Sequence, residues 1–208
     1  MKSKNLDREP VTRLLAFDPT PAGLVTKSLR KEFKYLWSCI RKEHFKENDL
    51  SCEICKTVES ENRLIHGHEV YSFSNSSYVK LEKVTFLCTK CHDTIHFERT
   101  RNHCQEPYLR KLIEHYCLVN GGLSESDFDQ DYTDTFHKML KIRDNYGGPG
   151  SSPDLDYGPF KEMVDIAVAR RKKRAIQNQD KIDNDDYDDF EMFPDHECQH
   201  DIKMGKFP

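Results

Sequence analysis

The 208-residue chain has no apolar run approaching the roughly 18 residues that a membrane-spanning helix needs. No membrane association is therefore expected. It holds a single tryptophan, and 33% of its residues are charged against 36% in the hydrophobic set. A polar chain with a thin apolar core follows. The N-terminal stretch MKSKNLDREPVTRLLAF lacks an apolar run followed by a small-residue cleavage site. No secretion signal is read there, and a cytoplasmic setting is expected. That setting argues against a disulfide scaffold for the eight cysteines. In reducing surroundings, closely spaced cysteines serve more often as metal ligands. No internal repeat is visible.

The net charge of −4 hides an uneven distribution. Asp180 to Asp201 carries ten acidic residues and one lysine, a local −9, so the remainder is about +5. A basic body with an acidic tail points to a polyanion as partner and to a tail that competes with it. The tail reads as disordered, and as a segment that binds a protein partner or mimics DNA.

Helix breakers and turn residues divide the chain. Residues 1–23 read as irregular, broken by Pro10, Pro19 and Pro21. Residues 24–47 read as one basic amphipathic helix, with Leu29, Phe33, Leu36, Trp37 and Ile40 on one face. Its other face carries Lys34, Arg41 and Lys42. Residues 48–101 form the informative core: strands over 63–73 and 80–87, a Ser-Asn-Ser-Ser turn, and a helix over 89–99. A helical extension spans 102–144. Residues 145–159 hold four glycines and three prolines and read as a linker. A basic helix over 160–178 ends near Arg170, Arg171, Lys172, Lys173 and Arg174, and the acidic tail fills 179–208.

Cys52-Glu-Ile-Cys55 and Cys88-Thr-Lys-Cys91 are two Cys-x2-Cys pairs separated by 32 residues. A two-residue spacer lets one tight turn supply two thiolates, and two such turns close a tetrahedral zinc site. The site clamps the segment between them, and a small polar domain needs such a staple. Cys88-x2-Cys91-His92 also has the form of a haem attachment site, but that reading leaves the first pair without a partner. One structural Zn²⁺ per chain is expected.

Four histidines fall within or just beyond the clamp. His92 and His96 are four apart on the expected helix and share a face, which makes a natural two-ligand metal site. His66 and His68 are two apart on the expected strand and share its face, with Glu69 adjacent.

Cys52-x2-Cys55, then Ile65-His66-Gly67-His68-Glu69-Val70, then Leu87-Cys88-x2-Cys91-His92-x3-His96 resembles the HNH endonuclease family. It is similar to the branch whose ββα-metal motif is braced by a four-cysteine zinc. The resemblance covers residues 52 to about 101. It implies an α+β fold: a small zinc-braced ββα-metal core flanked by helices, with an irregular N-terminus and an acidic tail. It implies hydrolysis of phosphodiester bonds in DNA, with a histidine as general base on water and one divalent cation, Mg²⁺, Mn²⁺, Ni²⁺ or Zn²⁺. His68 matches the base, and His92 and His96 match metal ligands. Gly67 stands where the family commonly has a ligand. Two registers follow. Either His66 or Glu69 is the third ligand with His68 as base, or His68 is the ligand and Glu69 or His66 lies near the base position.

The resemblance also suggests a bacterial or phage-infected cell as setting. The partners implied are DNA and, as an open option, a second copy of the chain. Candidate DNA contacts are Lys34, Arg41, Lys42, Arg99, Arg101 and the run Arg170 to Arg174, each of which would bind phosphate without reading sequence. A solvated charged face also explains the same residues. The rival function is a non-catalytic zinc module that binds DNA or a protein.

Overall fold

The computed structural model describes residues 13–47, 50–58, 64–74, 78–146 and 153–183. The acidic tail beyond 183, residues 1–12, the turn residues 75–77 and linker positions 147–152 lie outside the described residues. The fold is α+β, a small three-stranded sheet with several helices. Among the described residues no helix is long and apolar enough to cross a membrane. The chain forms two compact units, one of residues 1–24, 49–68 and 84–151, the other of 25–48, 69–83 and 152–208. Strands β1 (Ile65–Phe73) and β2 (Tyr78–Cys88) contribute to both units.

In the first unit, β2 leads directly into α3 (Thr89–Ile95) and α4 (Phe97–Arg101). The sequence suggests a single helix here. The chain instead turns at His96, whose φ of −96° and ψ of 35° leave helical space. The turn puts Phe97 into an aromatic cluster with Phe17, Tyr116, Phe128 and Tyr132, at ring separations of 4.9 to 6.4 Å. Tilted and edge-on pairs of this kind add about 0.5–1.5 kcal/mol each beyond burial. The helical extension is α5 (Glu106–Val119) and α6 (Glu125–Asn145). Pro107 opens α5, and a Ser124/Asp127 capping box opens α6.

The N-terminal segment has no helix or strand among its described residues, as its prolines suggest, yet it is part of this core. Leu15 is fully buried, and Asn120 holds its backbone from both sides, accepting from Leu15 N at 3.0 Å and donating to Leu15 O at 2.9 Å. Arg13 and the Tyr116 hydroxyl both donate to Asp131, each at 2.7 Å.

In the second unit, the single helix read over 24–47 is two: α1 (Leu29–Glu32), capped by Ser28, and α2 (Lys34–Glu47). Phe33 separates them with φ −130° and ψ 63°, its ring buried edge-on to Tyr157 at 5.6 Å. The linker holds a short strand, β3 (Asp154–Asp156), pairing parallel with β2 in the register Tyr78↔Asp154 to Lys80↔Asp156. A 3-10 turn over Gly158–Phe160 leads into α7 (Lys161–Asp183), longer than the helix expected. Gly158 has a φ of +51°, and a Cβ there would meet Leu81 O at 2.1 Å, so only glycine fits.

Candidate metal centres

The first Cys-x2-Cys pair sits on a tight turn tied to the end of β2. Glu53 N donates to Phe86 O at 2.9 Å, and Phe86 N donates to the Glu53 carboxylate at 2.7 Å. The turn closes with Lys56 in left-handed conformation at φ +59°. The second pair lies where β2 becomes α3, with Cys88 at the helix cap. The sulfurs of Cys52, Cys55, Cys88 and Cys91 all lie within 4.8 Å of one another, Cys55 and Cys88 at 3.5 Å. Zinc–sulfur bonds of about 2.3 Å give a tetrahedral edge of about 3.8 Å, so four sulfurs at this separation fit a zinc ion.

The electrostatics agree. The Cys52 thiol is strongly acidified by hydrogen bonds from Cys88 and Cys91, while the hydrogen bond to Cys52 holds Cys88 up at about 12 and Cys91 higher still. Four thiolates this close need a cation to coexist. His115 Nε2 lies 3.1 Å from Cys91 Sγ, and burial disfavours its charged form. Neutral His115 is thus placed to donate a hydrogen bond to a ligand sulfur. Sequence reasoning missed it, because α5 brings it in from 24 residues away.

The second group is built from β1 and α3. His68 is buried, and His92 and His96 are half-buried. One nitrogen of each lies within 4.8 Å of the others, a set that could hold a metal ion. His68 Nδ1 and His96 Nε2 are 3.2 Å apart. Bonds of about 2.0–2.1 Å give a tetrahedral edge of about 3.4 Å between two ligand nitrogens. Burial pushes His96 down to about 2, helped by neighbouring His68 and His92. Its ring is therefore neutral, the form that ligates.

The outer nitrogens face carboxylates. His96 Nδ1 is 3.6 Å and His68 Nε2 4.0 Å from Asp18 Oδ2, while His92 Nδ1 is 3.8 Å from Asp93 Oδ1. Asp93 also accepts the Tyr108 hydroxyl at 2.7 Å. The positive charge of Arg99 acts on Asp18, Asp93 and His96. Asp18 was not legible as a site residue, lying 50 positions before His68 in an irregular stretch.

His66 and Glu69 stand outside this set. His66 stacks on His92 at 5.2 Å, and its Nε2 is 3.2 Å from Thr89 Oγ1. Glu69 accepts from Arg30 N at 3.1 Å. The basic candidates are divided. Arg99 and Arg101 lie on α4 in the first unit, with Arg101 paired to Glu98 at 3.2 Å. Lys34, Arg41 and Lys42 on α2, and Arg170 to Arg174 on α7, are exposed in the second unit. Arg171 lies over the Phe33 ring at 4.8 Å and donates to Glu32 O.

Comparisons with protein-family models, with curated proteins and with solved structures return no match to this chain.

Proposed function

We propose that the chain is a metal-dependent endonuclease of HNH type that hydrolyses phosphodiester bonds in DNA. The observation that carries this reading is the group of His68 on β1 with His92 and the C-cap His96 of α3, together with a four-cysteine group of which Cys88 and Cys91 lie at the start of the same helix. The order of parts is the one the sequence resemblance implies. In this reading the cysteines hold a structural Zn²⁺ that fixes where α3 begins and so where His92 and His96 stand.

Of the two registers left open by the sequence, the grouping supports the one in which His68 is a ligand. Three imidazoles suit a borderline transition metal better than Mg²⁺. A divalent cation held there supplies Lewis-acid stabilisation of charge developing on the leaving oxygen. Water attacking phosphorus also needs a proton acceptor of near-neutral pKa. His66 fits that role best. It shares the strand face of His68 and packs on His92, whereas Glu69 follows on the opposite face and caps the Arg30 backbone. Arg99, whose charge acts on His96, is the cation this reading assigns to the phosphate.

Supercoiled plasmid incubated with the pure protein and Mn²⁺, Ni²⁺ or Mg²⁺ tests the proposal. Wild type should nick or linearise the DNA, and His92→Ala and His96→Ala should not, while both variants keep their zinc. Cleavage surviving both substitutions would show the assignment to be wrong. Tight DNA binding with no cleavage under any metal would favour the non-catalytic zinc module.

A further inference from the structure

We propose that Asp18 is a positioning residue of the histidine centre, a carboxylate outside the ligand set that orients His96 and His68 toward a cation. The inference rests on the reading of that group as a metal site. Asp18 Oδ2 faces His96 Nδ1 at 3.6 Å and His68 Nε2 at 4.0 Å. The opposite nitrogens of the same rings, His96 Nε2 and His68 Nδ1, approach each other at 3.2 Å. One carboxylate thus lies on the outer side of two rings whose inner nitrogens converge. Once a metal takes the inner lone pairs, the protons of these rings lie on the outer nitrogens, and a carboxylate there holds them and raises the basicity of the ligating nitrogens.

The carboxylate is held for this position. Asp18 N donates to Ile95 O at 3.0 Å, which ties the residue to the last turn of α3. Thr20 N donates to Asp18 Oδ1 at 2.9 Å, so the other oxygen is the one turned to the histidines. Phe17, the preceding residue, stacks on Tyr116 at 4.9 Å, and Leu15 is anchored by Asn120. The Asp18 side chain is only 12% exposed, too buried for a casual surface pair. The N-terminal segment, irregular by sequence, is therefore the part of the chain that completes the centre. A buried carboxylate also offsets part of a dication's charge in a site of three neutral ligands.

The test uses the full-length, zinc-loaded protein with the histidine centre stripped by mild chelation. Calorimetric titration with Ni²⁺ should show Asp18→Asn binding about 10- to 100-fold more weakly than wild type. Its Tm without Ni²⁺ should be unchanged, since Asn keeps the acceptor for Thr20 N. Nitrogen-15 NMR of the wild-type rings with Zn²⁺ added to the histidine centre supplies a readout that needs no variant: His96 should carry its proton on Nδ1. Wild-type Ni²⁺ affinity in Asp18→Asn, or a His96 proton on Nε2, would overturn the proposal. A metal-free Tm that falls with the affinity would also overturn it, by making Asp18 merely structural. Wild type that takes up no Ni²⁺ at the histidines overturns the metal reading itself, a failure distinct from the others.

Discussion

His66 and His68 lie two apart on one strand, and their surroundings separate them. His68 Nδ1 meets His96 Nε2, whereas His66 stacks on His92 and meets Thr89 Oγ1. A ligand and a base fail differently when removed. His68→Ala should weaken metal binding, and added Mn²⁺ should restore part of its cleavage, because mass action offsets a binding defect. His66→Ala should bind metal normally and cleave about 10²- to 10⁴-fold more slowly at every metal concentration. Titrating cleavage against Mn²⁺ for both variants decides between the registers. If His66→Ala is rescued by metal and His68→Ala is not, the roles are exchanged. The histidine pairs were legible because they depend on local spacing alone, two on a strand and four on a helix. Asp18 and His115 were not. Each reaches its centre through tertiary packing, which no spacing in the sequence announces.

Elements were legible where their signals were strong. The strands read over 63–73 and 80–87 lie close to β1 and β2, and the helical extension read over 102–144 holds α5 and α6. Breaks in helices were less visible. Phe33 and His96 leave helical conformation although neither is a glycine or proline. At the first break the Phe33 ring is buried, and at the second the turn brings the Phe97 ring into the aromatic cluster. Strand β3 was hidden because Asp-Leu-Asp has little strand propensity of its own and exists by pairing with β2. Its approach to the 3-10 turn needs Gly158, which has both a positive φ and no room for a Cβ beside Leu81 O. Gly158→Ala should therefore destabilise the protein by at least about 1–3 kcal/mol, seen as a lower urea midpoint with unchanged zinc content. A midpoint equal to wild type would mean the β2–turn contact relaxes freely.

For the whole molecule, two groups of ligands differ in what each can lose. Four thiolates around zinc form a closed site whose binding energy is folding energy. Three imidazoles would leave coordination positions open, and a cation held there should exchange faster. The basic residues are likewise divided, with Arg99 in the unit that holds both centres and the exposed runs of α2 and α7 in the other. Such charges would give DNA affinity that falls steeply with salt and no sequence preference. The most direct measurement follows plasmid cleavage and zinc content together as chelator is raised stepwise, with circular dichroism on the same samples. Cleavage should vanish first, with one zinc per chain and the full spectrum retained, and should return on adding Mn²⁺ or Ni²⁺. Cleavage that is lost only together with zinc and fold, or that persists after all exchangeable metal is gone, would contradict a separate metal centre at His68, His92 and His96.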